Sequence, residues 1–207
     1  MGRQYAKTPG LRASIIEACS VAFSESGFHG VSMAEIARRA GISHTGLLHH
    51  FPRKEILLTA VLELQDERGE RYLRDNGVLS GTDDPVAVLR GMIVSLVERD
   101  RHAGLVELSA TLSGEATSLG HPAHDFFADR YRRVRSFLTR LFTVIQEEQR
   151  LSSALPPEHL AALTIAVTDG LHTQWLYARD ELDVESIIHD FLASIVKDFD
   201  AEQPIVQ

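Results

Sequence analysis

Apolar residues recur every three to four positions along nearly the whole chain, which is the helical period, and no stretch alternates as a half-buried strand would. Residues 11–26 read as a first helix with Ile15, Ala18, Cys19, Ala22 and Phe23 on one face. Gly27 and Gly30 then bracket a short turn. Ser32 followed by Glu35 is a capping box: the hydroxyl accepts a first-turn N–H and the Glu side chain reaches back. The second helix runs to Ala40, and Gly41, tolerant of a left-handed backbone, ends it. Ser43 caps a short third helix over 44–51, which Pro52 stops or follows with the next. Six more helices are expected: 53–74, 85–99, 102–117, a long one opening at Gly120-His121-Pro122, one opened by Pro156-Pro157 and running through Trp175, and 184–199. A polar loop with Gly77 and Gly81 separates the first two of these. The pattern therefore predicts an all-α chain of nine helices, with a head over 1–54 and a helical body over 55–207.

Composition narrows the reading. The chain has 207 residues and is 44% hydrophobic, enough for a substantial core. No run approaches the roughly 18 to 20 apolar residues of a membrane span. Met1-Gly2-Arg3-Gln4-Tyr5 lacks a secretory apolar run, and the Ser/Thr that favours myristoylation is missing. A soluble, cytoplasmic protein is expected. The single cysteine, Cys19, excludes an internal disulfide and lies on an apolar helix face as a buried thiol. The net charge of -8 argues against a nucleic-acid partner until its distribution is seen. Residues 1–54 hold seven Lys/Arg and three Asp/Glu; residues 55–207 hold 14 and 26. A basic head on an acidic body marks a candidate nucleic-acid end.

Within that head, Ala37 precedes Gly41 by four residues, and Ile36, Ala40, Ile42 and Leu47 form an apolar inner face. A helix-turn-helix has this form: a small residue where two helices touch, Gly in the turn, and a second helix free to enter a major groove. The stretch V-S-M-A-E-I-A-R-R-A-G-I-S-H-T-G-L-L-H-H-F-P-R-K-E-I-L-L, preceded by A-F-S-E-S-G-F-H-G-V-S, resembles the DNA-binding signature of the TetR family of transcriptional regulators. The similarity covers about 11–64; beyond it only the helix count and Thr168-Asp169-Gly170-Leu171 are alike. The resemblance implies nine helices, a homodimer, a DNA operator and a C-terminal domain that senses a small molecule.

It also implies roles. Ser43, His44, Thr45 and Gly46 match positions that face base edges. His44 can donate to or accept from a base, and Thr45 can hydrogen-bond or meet a thymine methyl. The family more often has Gly then Thr where this chain has Thr45-Gly46, and usually a phosphate-contacting Tyr where it has Leu48. His49 is expected toward the groove, His50 at a phosphate, and Lys54 at a phosphate from the start of the fourth helix. Ser32 and Met33 lie at the amino end of the second helix, where unpaired amides favour an anion. Arg3, Lys7 and Arg12 make a short basic arm.

The histidines do not read as a metal site. His49 and His50 are adjacent and diverge by about 100° on a helix. His121 and His124 are better spaced, but His, Pro and Asp at a helix start also serve capping. No metal and no cofactor are expected. Candidate ligand-lining residues in the body are Met92, Leu96, Leu108, Thr111, Glu115, Phe127, Tyr131, Asp169, His172 and Trp175, of which Glu115, Asp169 and His172 are polar on otherwise apolar faces. Arg130-Tyr131-Arg132-Arg133 reads as a solvated face. Leu163, Val167, Leu171, Ile188, Phe191, Leu192 and Ile195 form the candidate dimer surface, because the last helix is apolar over more than one stripe. A two-fold dimer requires an inverted-repeat operator. The function expected is ligand-relieved repression, coupled through the fourth helix. The alternative is a helical carrier or enzyme with an incidental helix-turn-helix. No nucleophile, base and orienter come together for catalysis; Asp169 with His172 is the nearest pair.

Overall fold

The computed structural model describes residues 8–75, 84–100 and 103–200. Among these the chain forms nine helices and no sheet: α1 Thr8–Gly30, α2 Met33–Arg39, α3 His44–His50, α4 Lys54–Asp75, α5 Pro85–Asp100, α6 Ala103–Glu115, α7 His124–Glu147, α8 Pro157–Tyr177 and α9 Val184–Ile195. No described helix is long and apolar enough to cross a membrane. Arg3, Lys7 and most of the expected polar loop lie outside the described residues.

Local chemistry sets the ends. α1 breaks at Gly27 (φ 69°, ψ 178°), where the turn was expected. Ser32 caps α2 by accepting the N–H of Glu35 at 3.2 Å. The other half of the expected capping box differs. The Glu35 carboxylate is taken by Arg38 and Arg39, whose charge-assisted bonds of 2.7–2.8 Å outcompete a backbone amide. Gly41 (φ 69°) closes α2 in a Schellman turn, with Ile42 N–H donating to Ala37 C=O and Gly41 N–H to Arg38 C=O. Ser43 caps α3 by accepting the N–H of Gly46 at 3.0 Å.

Two boundaries differ from the apolar pattern. α7 starts at His124 rather than at Gly120. Before it the chain turns, and His121 Nδ1 accepts the N–H of Ala123, a side-chain turn that replaces a helical one. α9 stops at Ile195, not at Phe199. Val196 is extended and pairs with Leu151 in one antiparallel bridge, with Lys197 N–H donating to Arg150 C=O at 2.7 Å. Val196 and Phe199 remain buried, so the apolar periodicity reads straight through the change of backbone.

The described residues form two compact units. Those up to 69 and from 103 to 128 make one, and 70–100 with 129–200 make the other. In the first, α1 packs along α6, and Ile15, Cys19, Phe23, Ile36, Leu47, Leu57, Leu108 and Leu112 are buried. Burial pushes the Cys19 thiol far up, so it stays protonated. The second unit has its own core of Val86, Leu89, Leu138, Phe142, Ile145, Leu160, Leu171, Ile188 and Leu192, with Val196 and Phe199 beside them.

Candidate nucleic-acid interface

α3 has two unlike sides. Leu47 is wholly buried, and Gly46 and His50 are half-buried beside it. His44, Thr45, Leu48 and His49 are exposed. At 100° per residue these four span about 140° of arc, one continuous stripe. The buried side is anchored because Gly41 turns the chain and Ser43 restarts it as a helix within two residues. The stripe therefore stands on a fixed base and offers two imidazoles, one hydroxyl and one isobutyl group. Those are hydrogen-bonding and methyl-contacting groups of the kind that read base edges.

The remaining expected positions fall around it. Ser43 and Ser32 are exposed caps whose oxygens accept amides of their own helices, and Met33 is half-buried at the start of α2. His50 lies on the flank of the stripe, with its ring edge-on to His49 at 5.7 Å. Gly46 is close to its cap: a Cβ there would lie 3.1 Å from Ser43 Oγ. Arg12 lies within α1, and its guanidinium lies over the Phe51 ring, 5.0 Å from the centroid. Nothing local in the sequence pairs those two residues.

Lys54 has partners within the head. Its ammonium is half-buried and donates to the carbonyl oxygens of Phe28 (2.6 Å) and Val31 (2.7 Å), 4.4 Å from the Phe28 ring centroid. A lysine has three donors, so one is left for a phosphate. Its main partner in this structure is the α1–α2 turn. The basic count of the head also overstates what DNA would meet. Arg38 and Arg39 hold Glu35, and Arg39 holds Glu25 as well. Hydrogen bonds from Arg38 and then Arg39 bring the Glu35 carboxyl down to about 2.

The candidate ligand residues are divided. Leu108, Thr111, Glu115 and Phe127 belong to the first unit; Met92, Tyr131, Asp169, His172 and Trp175 belong to the second; Leu96 lies outside the described side chains. Leu108 is fully buried core. Glu115 is engaged elsewhere: its carboxylate accepts the N–H of Phe28 at 2.8 Å. In the second unit Tyr131 Oη donates to Asp169 Oδ2 at 2.8 Å, and Arg179 lies over Trp175, 5.0 Å from the ring centroid. The dimer candidates are also corrected in part. Leu171, Ile188 and Leu192 are buried in their own unit's core and cannot also face a partner. Leu163 is exposed and Val167, Phe191 and Ile195 are half-buried; Ile187, also exposed, joins them. His121 and His124 point into local bonds, His121 Nδ1 to Ala123 N–H and His124 Nδ1 to the Ala116 carbonyl.

Two family models match. Residues 15–61 match that of bacterial regulatory proteins of the tetR family, and residues 85–197 match that of the C-terminal part of BetI-type transcriptional repressors. The HTH-type transcriptional regulator AcrR of Shigella flexneri is 24% identical over 194 residues, 90% of this chain and 87% of the relative. Among solved structures, a complex of triclosan with SmeT, a Stenotrophomonas maltophilia efflux-pump repressor, is 21% identical with a TM-score of 0.74, over 96% of this chain and 100% of that one. AibR in complex with isovaleryl coenzyme A and operator DNA is also 21% identical with a TM-score of 0.74, over 90% and 98%.

Proposed function

The chain belongs to the TetR family of bacterial transcriptional regulators, and from that premise we propose that it is a homodimeric repressor which leaves an inverted-repeat operator when a small molecule binds. The observation that carries the reading is the exposed α3 stripe, backed by a buried Leu47 and framed by two formed caps. His44 and Thr45 read base edges. Leu48 and His49 continue the contact along the groove. Ser43 and Gly46 allow close backbone approach. His50, the remaining donor of Lys54 and the amino end of α2 at Ser32 and Met33 meet phosphates. Residues 1–54 are the reader, and 55–207 pair and sense.

The ligand half of the reading is supported by what relatives hold: SmeT is known with triclosan, and AibR with isovaleryl coenzyme A. In this chain the candidate lining residues of the second unit are Met92, Tyr131, Asp169, His172 and Trp175, of which Tyr131 donates to the Asp169 carboxylate. A ligand that prefers a conformation with mis-spaced heads shifts the population off DNA.

Duplex DNA of random sequence, titrated at rising salt, tests the first step. Binding should weaken steeply, because phosphate contacts release counterions. Sequences enriched by the wild type should show an inverted repeat. His44→Ala should change the preferred bases, by about 1–3 kcal/mol at its position, while His50→Ala should weaken all sequences alike. Absence of any DNA binding at low salt would sink the proposal and return the chain to the class of helical carriers or enzymes.

A further inference from the structure

Glu115 ends α6, well outside the helix-turn-helix, yet it holds the segment that leads into it. Gly27 departs from helical geometry, so the amide of Phe28 leaves the α1 ladder, and Glu115 Oε2 accepts it at 2.8 Å. Gly27 makes room for this: a Cβ there would lie 2.2 Å from Glu115 Oε1. On the other side Lys54 takes the carbonyls of Phe28 and Val31. The Phe28 ring lies 5.2 Å from the His121 ring, edge to face, and the buried Nε2 of His121 is 3.6 Å from the same carboxylate oxygen with no hydrogen-bond partner. The connector from Gly27 to Val31 is thus fixed at one amide by a carboxylate and at two carbonyls by an ammonium.

These anchors differ in what they determine. Phe28 and Val31 are buried, so apolar packing already keeps the connector in place. Gly27 is its one non-helical glycine with a positive φ, and Glu115 fixes the direction of the next peptide. We propose that Glu115 is a positioning residue for DNA recognition: acting through the Phe28 amide, it sets the pose of α2 and α3 relative to α1. The inference rests on the regulator reading. Without the carboxylate, the Phe28 peptide loses its fixed direction while the Lys54 bonds and the buried Phe28 and Val31 keep the connector packed, so the α3 stripe meets the groove at a shifted angle. Charge-assisted bonds of this kind are the strong ones, and this one crosses from α6 to α1.

The test uses the full chain, with a duplex enriched by the wild type and a scrambled one as probes. Glu115→Met removes the acceptor at similar length. Its ratio of specific to non-specific affinity should fall by about tenfold or more, the size of one charged hydrogen bond, with non-specific affinity unchanged. The Phe28 amide should exchange with solvent correspondingly faster. Glu115→Gln, whose amide oxygen still accepts, should keep the ratio close to wild type. A folded Met variant with an unchanged ratio overturns the proposal. If that variant does not fold, Glu115→Asp decides, being one methylene too short to reach Phe28: a retained ratio with lost amide protection overturns it equally. A merely structural role would lower the melting temperature and leave the ratio alone. If the wild type enriches no sequence at all, the regulator reading fails and takes this role with it; unchanged ratios in the variants defeat only the positioning role.

Discussion

Gly41 and Gly27 share a φ of 69°, but Gly27 also has a ψ of 178°, and the two differ in what surrounds them. Nothing lies within 4 Å of a Cβ at Gly41, whereas at Gly27 it would strike the Glu115 carboxylate. Gly41→Ala should therefore cost only the left-handed backbone, about 1–2 kcal/mol in chemical denaturation. Gly27→Ala should cost clearly more, because φ 69° with ψ 178° is open essentially to glycine alone and the Cβ would push the Glu115 carboxylate off the Phe28 amide, exposing it to exchange; an unchanged exchange rate would mean that Glu115 does not hold that amide in solution. Both glycines are legible in the sequence as turn residues, but the partner of one of them is not, because Gly27 and Glu115 meet only in the fold. His121 is another residue whose role depends on contacts distant in sequence. It is buried, and burial first, then His29, lowers its pKa below the ordinary histidine value near 6.5, against the opposing pull of Glu115. Its neutral form is the folded form, so its contribution is fully present above about pH 6.5 and is lost as pH falls below that. Melting temperature measured from pH 7.5 to 5 should fall more steeply for the wild type than for His121→Gln. Parallel curves would show that His121 does not titrate with unfolding.

The short helices were the most legible elements. Ser32, Gly41 and Ser43 act through their own backbone neighbours, and caps and Schellman turns are local chemistry that spacing reveals. The ends that depart from the apolar pattern, at the start of α7 and the close of α9, are those where a buried side chain keeps the apolar period while the backbone changes course: Ala123 before α7, Val196 and Phe199 after α9. α3 also carries a departure that can be measured. Leu48 is exposed at 36%, in the middle of the stripe, where the family usually has a tyrosine. An exposed leucine gains nothing from the core, so its value must come from DNA or be small. Leu48→Tyr should leave stability within about 0.5 kcal/mol and raise affinity for all duplexes by a similar factor through an added phosphate contact. A change in base preference instead, with affinity for thymine-containing sites lost, would show that Leu48 reads a methyl group.

At the scale of the molecule, helix count, all-α class and family were legible because they rest on periodicity and one compact motif; pairing stays a proposal. The apolar breadth of α9 is what two packing duties would need, but periodicity cannot say which residue would serve which. In the structure Ile188 and Leu192 go inward, and Ile187, Phe191 and Ile195 are left at least partly open, as are Leu163 and Val167 on α8. On each helix the open residues recur at four-residue spacing, Leu163 with Val167 and Ile187 with Phe191, and α8 and α9 pack on one another. A second copy is the occupant that the proposed function requires, since an inverted repeat needs two reading heads about one helical turn, roughly 34–36 Å, apart or a multiple of it. Leu163→Glu combined with Ile187→Glu should yield a monomer in sedimentation analysis, with a melting temperature no lower than loss of the dimer explains, because neither side chain belongs to the buried core. A single head contacts about half the phosphates, so the slope of log affinity against log salt should drop to about half. A double variant that still sediments as a dimer would place the interface away from α8 and α9. A monomer with an undiminished salt slope would show that one head binds as the pair does, and the inverted-repeat geometry would fall with it.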